Sequence, residues 1–286
     1  MKSFKILLIT ILTPLFALSE NPEVCLSLLE PISGGPFQKK FLDKVCANVV
    51  TLEGCQSVNG TPIFHFDRTG HDKSKKKILV FSLIHGDEKG AGALARYWLE
   101  RLTDIDPRND WRIVPVLNPD GFKANTRVNA NGVDLNRNFP TQDWDQLANK
   151  YWKEKTSSNP RRFPGSVAGG EPEVKCAVKH LESYKPDFVV SIHTPLGVLD
   201  FDGPKVKPPA FSYLPWHSLG HFTGSLGRFL WAERNVPTLT TELKPGLPKS
   251  FETFDDLQDV LGKLAKEKLP AHQSDLGSAA ASSDHE

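Results

Sequence analysis

The chain has 286 residues with 35 Lys+Arg against 34 Asp+Glu, a formal net charge of +1. A charge so balanced offers no field to hold nucleic acid or an anionic membrane as the main partner. A composition of 39% hydrophobic and 24% charged residues excludes a disordered chain, and 22 prolines with 21 glycines exclude a helical bundle.

Lys2 and Lys5 precede an apolar run, Ile6 to Leu18, that ends in Ala17-Leu18-Ser19. This pattern predicts a signal peptide over residues 1–19, cut after Ser19. The run falls short of the roughly 20 apolar residues that span a bilayer, so no stable membrane anchor remains after cleavage. The mature protein is expected in the periplasm or secreted, with its formal charge moved from +1 to −1 by loss of the two lysines. Residues 20–49 read as an N-terminal extension, with a turn at Gly34-Gly35-Pro36 and a helix over Phe37–Val49. Gly54 to Asp67 predicts a hairpin turning at Asn59-Gly60. The basic run Lys73–Lys77 reads as a solvated loop.

Buried strands are then predicted over Ile78–Ile84, Arg112–Leu117, Asp187–Ile192 and Val236–Glu242. Helices are predicted over Glu88–Leu102, Lys175–Tyr184, Leu219–Ala232 and Phe251–Leu269, and Asn118-Pro119-Asp120-Gly121 reads as a structural turn. Residues 50–270 would form the main domain, and the Ser/Ala/Asp-rich segment 271–286 a disordered tail. Cys25, Cys46, Cys55 and Cys176 permit three full pairings, and at least one bridge is expected to pin the extension to the main domain. No Cys-x-x-Cys is present.

The alternation of strands and helices predicts an α/β fold with helices on both faces of one sheet. Ligands of such folds bind beyond the carboxyl ends of the strands. His85 and Glu88, Asn118 and Asp120, His193, and Glu242 all follow predicted strands and would gather on that edge. Two imidazoles and one carboxylate, from His85, Glu88 and His193, leave a fourth tetrahedral position for water, the arrangement of catalytic Zn²⁺.

His85-Gly86-Asp87-Glu88, Asn118-Pro119-Asp120-Gly121, Thr126-Arg127, Gly132 to Phe139, Ser191-Ile192-His193 and Thr241-Glu242-Leu243 occur in this order. Together they resemble the M14-type zinc metallocarboxypeptidases over residues 50 to 250, most of all their murein peptide amidase branch. The resemblance implies a mixed, twisted zinc-carboxypeptidase-like sheet. It also implies hydrolysis of the γ-D-glutamyl–diaminopimelate bond of peptidoglycan peptides. By the same resemblance His85, Glu88 and His193 hold the zinc, Glu242 is the general base and Arg127 stabilises the oxyanion. Asn136 and Arg137 grip the terminal carboxylate, and Asp134 orients an imidazole, His85 first of all.

The family commonly carries a tyrosine about twenty residues before the base, and here that segment, 219–228, has none. His221 stands nearest, as a hydrogen-bond donor in its place or a surface residue. Arg228 is expected to meet the distal carboxylate of diaminopimelate, and the segment offers no acid for a basic side chain. The competing readings are a carboxypeptidase of protein or peptide C-termini, an acylase of the aspartoacylase type, and a non-catalytic peptidoglycan-binding relative.

Overall fold

The computed structural model describes residues 22–34, 38–246, 248 and 250–265. The expected leader (1–19) and tail (271–286) lie outside the described residues. The strands are β1 (Val50–Gln56), β2 (Pro62–Arg68), β3 (Lys77–Phe81), β4 (Asp110–Val114), β5 (Phe188–His193), β6 (Val198–Asp202) and β7 (Thr238–Glu242). The helices are α1 (Pro22–Leu29), α2 (Lys39–Cys46), α3 (Lys89–Asp104), α4 (Pro119–Ala124), α5 (Trp144–Thr156), α6 (Pro172–Tyr184), α7 (Leu226–Arg234) and α8 (Glu252–Lys263).

The seven strands form one mixed sheet in the order β1-β2-β4-β3-β5-β7-β6. The central four, β4-β3-β5-β7, are parallel, and antiparallel strands flank them on both sides. Burial of both sheet faces makes the central strands continuous apolar runs. Ile78 and Val80 of β3 point into a core with α1, α2, α3 and α8. Leu79 and Phe81 point the other way, into a core with α6 and α7. Strand order reverses around β3, with β4 on one side and β5 on the other, so the crevice beyond β3 and β5 is the switch point at which such sheets bind ligands.

The hairpin turns as predicted, with Gly60 at φ 78° and its N–H donating to the Ser57 carbonyl. The predicted helix over Leu219–Ala232 begins later, at Leu226. Gly220 and Gly224 lie in the left-handed region, and the Ser225 hydroxyl caps the helix at the Arg228 N–H. Asn118-Pro119-Asp120-Gly121 is the head of a helix, α4, rather than a plain turn, with Asn118 as its cap and Pro119 first inside.

The cysteines pair as Cys25–Cys46 and Cys55–Cys176. Neither bridge joins the extension to the main domain, contrary to expectation. The extension is instead held by burial. Leu28, Leu29, Ile32, Leu42 and Val45 share the core of α3, and the buried Arg96 guanidinium donates to the Ile32 and Gly34 carbonyls. Among the described residues no helix is long and apolar enough to cross a membrane.

Candidate active site

The carboxyl ends of β3, β5 and β7 meet at one edge. β3 ends at Phe81, and the chain continues through Leu83, a buried leucine at φ 46°. That conformation costs a branched residue about 1 kcal/mol or more. It is held by complete burial and by the Asn118 N–H, which donates to the Leu83 carbonyl at 3.0 Å. Gly86 and Gly121 then meet backbone to backbone, where a Cβ on Gly86 would lie 2.0 Å from the Gly121 carbonyl carbon. Asn118 ties this contact together. Its Oδ1 accepts from Gly121, and its Nδ2 donates to the Ile84 and Arg127 carbonyls. The two Gly-containing motifs are thus one structural unit that places His85, Glu88 and Arg127.

His85 Nδ1 lies 2.7 Å from Glu88 Oε1, and His193 Nδ1 lies 2.9 Å from Glu88 Oε2 and 3.2 Å from His85 Nδ1. Tetrahedral zinc with ligands at about 2.0–2.1 Å has ligand–ligand edges of roughly 3.3 Å, close to these separations. The tautomers agree with a cation. Asp134 Oδ1 can only accept, so His85 Nε2, 3.1 Å away, carries the proton and turns its Nδ1 lone pair to Glu88 and His193. Ser191 Oγ stands 2.9 Å from His193 Nε2 and orients the second ring. Two lone-pair nitrogens and a carboxylate facing one point are donors that a divalent cation satisfies, and these residues fit zinc.

Burial alone would raise the Glu88 pKa, but the imidazoles of His85 and then His193 hold it well below the carboxylate range. Asp134 is likewise held low, because Arg127 and then His85 outweigh its complete burial. Arg127 Nε donates to Asp134 Oδ2 at 3.0 Å, and its Nη1 lies 3.5 Å from Glu88 Oε1.

Glu242 ends β7 opposite His193 in the register, and its Oε2 accepts from the Leu196 N–H. These groups share a cleft of about 380 Å³ with Asn136 and Arg137. Asn136 Oδ1 accepts from the Leu226 N–H at the head of α7. The Arg137 guanidinium lies over the Phe222 ring and donates to the Asn136 carbonyl.

Two expected residues do not join the cleft lining. Arg228 pairs with Asp143 Oδ2 at 2.7 Å instead of facing a substrate carboxylate. His221 donates to Asp202 Oδ1 at 2.6 Å, with its side chain 45% exposed, rather than replacing the tyrosine. A tyrosine does reach the cleft, from another element. Tyr151 of α5 lines it, edge-on to Phe222. The segment 219–228 itself holds no acid, but Asp200 and Asp202 of β6 bring two to the cleft. Sequence reasoning missed Ser191, Tyr151, Arg162, Asp200 and Asp202, all of which line the cleft. Of these, Ser191 is two residues before His193 on one strand and thus shares its face.

A family model described as zinc carboxypeptidase matches residues 39–199. Murein peptide amidase A of Vibrio campbellii is 32% identical over an alignment of 202 positions that covers 66% of this chain and 77% of that protein. The chain belongs to the zinc carboxypeptidase family. It is a zinc-dependent metallocarboxypeptidase, and the His85–Glu88–His193 group is its candidate zinc site. Solved members share the fold. The murein-tripeptide amidase of Escherichia coli O157 superposes with a TM-score of 0.55 at 23% identity, covering 78% of this chain and 94% of that one. Bovine thrombin-activatable fibrinolysis inhibitor, in complex with a tick carboxypeptidase inhibitor, gives 0.61 at 18% identity, covering 79% and 92%.

Proposed function

We propose that this zinc carboxypeptidase is exported and hydrolyses the γ-D-glutamyl–diaminopimelate bond of peptidoglycan peptides. The observation that carries the reading is one shared cleft. A carboxylate clamp, Asn136 and Arg137, stands in the same cavity as the His85–Glu88–His193 group and Glu242. An arginine fork matches a carboxylate with two parallel hydrogen bonds. A clamp of this kind sets a fixed distance from the free carboxylate to the bond that breaks, so one terminal residue leaves at a time. The 32% identity to a murein peptide amidase and the leader-like residues 1–19 support the choice of a cell-wall peptide.

Zinc at the site supplies Lewis-acid activation of water and of the scissile carbonyl. The chain's own residues do the rest. Glu242 takes a proton from the attacking water and returns it to the departing amine. Arg127, fixed by Asp134, presents its guanidinium to the negative charge that develops on the carbonyl oxygen. Arg137 and Asn136 hold the terminal carboxylate, and Asp134 and Ser191 keep the two imidazoles in their ligating tautomers.

The test is incubation of zinc-loaded protein with muropeptides ending in diaminopimelate, with product masses read by mass spectrometry and a chelator control. Chelator-sensitive loss of one diaminopimelate is expected. An intact tripeptide after exhaustive incubation, with zinc bound, would overturn the reading.

A further inference from the structure

The two disulfides sit in different chemistry. Cys25–Cys46 joins α1 to α2 inside an apolar core. Cys55–Cys176 joins β1 to α6 across a sequence separation of 121, and buried imidazoles stand beside it. Cys176 and His180 are four residues apart on α6, so they share one face of that helix. His65 shares a face of β2 with Ile63, which packs in the core of α6. One donor atom each from Cys55, Cys176 and His180 lie within 4.8 Å of one another. Among the described residues no histidine or acid completes a comparable group with Cys25 and Cys46.

The imidazoles lack partners. The His180 ring is fully buried, and neither of its nitrogens has a hydrogen-bond partner among the described residues. His65 Nε2 faces Asp67 Oδ2 at 3.7 Å, and its Nδ1 is unpartnered too. Buried polar atoms are normally paired, so three orphaned nitrogens beside two sulfurs call for an acceptor of lone pairs. None of these residues lines the catalytic cleft.

We infer that Cys55, Cys176 and His180, with His65 as fourth donor, form a latent site for a thiophilic divalent cation, zinc first, which opens when a dithiol reduces the bridge. While the bridge is closed its sulfurs carry no charge and the cluster is only packed. An external dithiol gives two electrons and two protons to the bridge and leaves as its own disulfide. Cys55 and Cys176 are then thiols, and on binding Zn²⁺ they release their two protons to solvent. His65, its ring centroid 4.9 Å from that of His180, brings Nδ1 as the fourth ligand. Two thiolates and two neutral imidazoles are the donor set of closed structural zinc sites. Their charge cancels that of the ion, as so dry a location requires. The ion would keep α6 tied to β1 after the covalent link is lost. β1 gives the reductant its path. It is an edge strand with a register shift between Thr51 and Gln56 and Gly54 at φ 68°. Edge segments with an interrupted ladder open locally before the sheet does.

The test uses the full zinc-loaded chain, first with its bridges closed, then reduced with dithiothreitol and desalted without oxygen. Each form is offered Zn²⁺ or Co²⁺. The oxidised protein is expected to hold one metal ion per chain, at His85, Glu88 and His193, and the reduced protein two. With Co²⁺ the second ion brings a thiolate-to-cobalt charge-transfer band, which the catalytic site cannot give because it has no thiolate. Replacing Cys55 and Cys176 together by serine, or His180 by leucine, is expected to abolish both the band and the second ion.

A reduced chain with all four thiols free, one metal ion and no band overturns the inference. An undiminished band in either variant does the same. If reduction unfolds the chain, far-ultraviolet circular dichroism decides. Refolding on addition of zinc that is lost in His180→Leu supports the site, and a reduced chain that zinc does not refold overturns it.

Discussion

The fold contains two buried imidazole pairs of equal spacing. His85 and His193 have ring centroids 4.9 Å apart, and so do His65 and His180. All four rings are at most 2% exposed. Their surroundings differ in one respect. The first pair faces Glu88 and Asp134, so although burial pushes His85 down, Glu88 raises it above the usual imidazole range. The second pair sits between β2 and α6 beside the Cys55–Cys176 bridge, and neither nitrogen of His180 has a partner among the described residues. Burial and then Arg112 lower His65 to about 4, while burial and then His65 lower His180 to about 2. A carboxylate within hydrogen-bond reach of both rings, against one 3.7 Å from His65 Nε2 and none bonded to His180, separates the ion-binding pair from the packed one.

The largest way to break the contrast is at the first pair. His193→Ala is expected to bring zinc content well below one per chain and turnover to the level of chelator-treated wild type, read by elemental analysis and peptide hydrolysis. Replacing His180 leaves the zinc stoichiometry at one. Next comes Glu242→Gln, for which kcat falls about 10²- to 10⁴-fold while zinc content stays at one. Wild-type rates in that variant would remove Glu242 as the base.

The difference between the pairs was partly visible in the sequence. His85 is followed three residues later by Glu88 after a buried strand, and His193 closes another. The motif order supplied Arg127, Asn136 and Arg137. The sheet's alternation was legible in the apolar runs, because a strand buried on both faces has no polar position to break it. What escaped was set by tertiary contact. Tyr151 reaches the cleft from α5, far from the segment where a tyrosine was sought. Arg228 and His221 met acids, Asp143 and Asp202, that no local pattern assigns to them. β6 was missed although Leu199 to Asp202 alternates apolar and acidic, a period-two signal short enough to pass for a loop. With β6 went the two acids of the cleft.

Within the first pair, Asp134→Asn sharpens the comparison by removing a carboxylate while keeping its shape. One carboxylate oxygen becomes an NH2, so of His85 and Arg127 only one keeps its acceptor, and both lose the counter-charge. Zinc affinity is expected to fall about 10- to 100-fold, measured by competition with a metal indicator. Ser191→Ala, which removes a neutral partner from His193, costs less. Equal affinity in Asp134→Asn and wild type would mean that the carboxylate's charge does nothing for the zinc site.

The second pair gives the smallest effect and the most direct reading of its environment. The folded-state pKa of His180 is depressed to about 2 from 6.5, so as pH falls the unfolded chain binds the proton first. Stability from this site is intact above about pH 6.5 and is lost progressively below it, at about 1.4 kcal/mol per unit. At pH 5 the buried ring therefore costs about 2 kcal/mol. Several groups tilt the other way, among them Glu100, raised by burial to about 7, and Asp200, raised by burial and Asp202 to about 6, which take up protons in the folded state. The whole-protein profile mixes these slopes, and the informative quantity is the difference between His180→Leu and wild type. Leucine replaces a ring that makes no hydrogen bond, so urea unfolding at pH 7 is expected to agree to within about 1 kcal/mol. At pH 5 the variant should be the more stable by about 2 kcal/mol. A gap that fails to open between pH 7 and pH 5 would show that His180 keeps a proton or a partner on folding, and the two imidazole pairs would then differ less than their surroundings require.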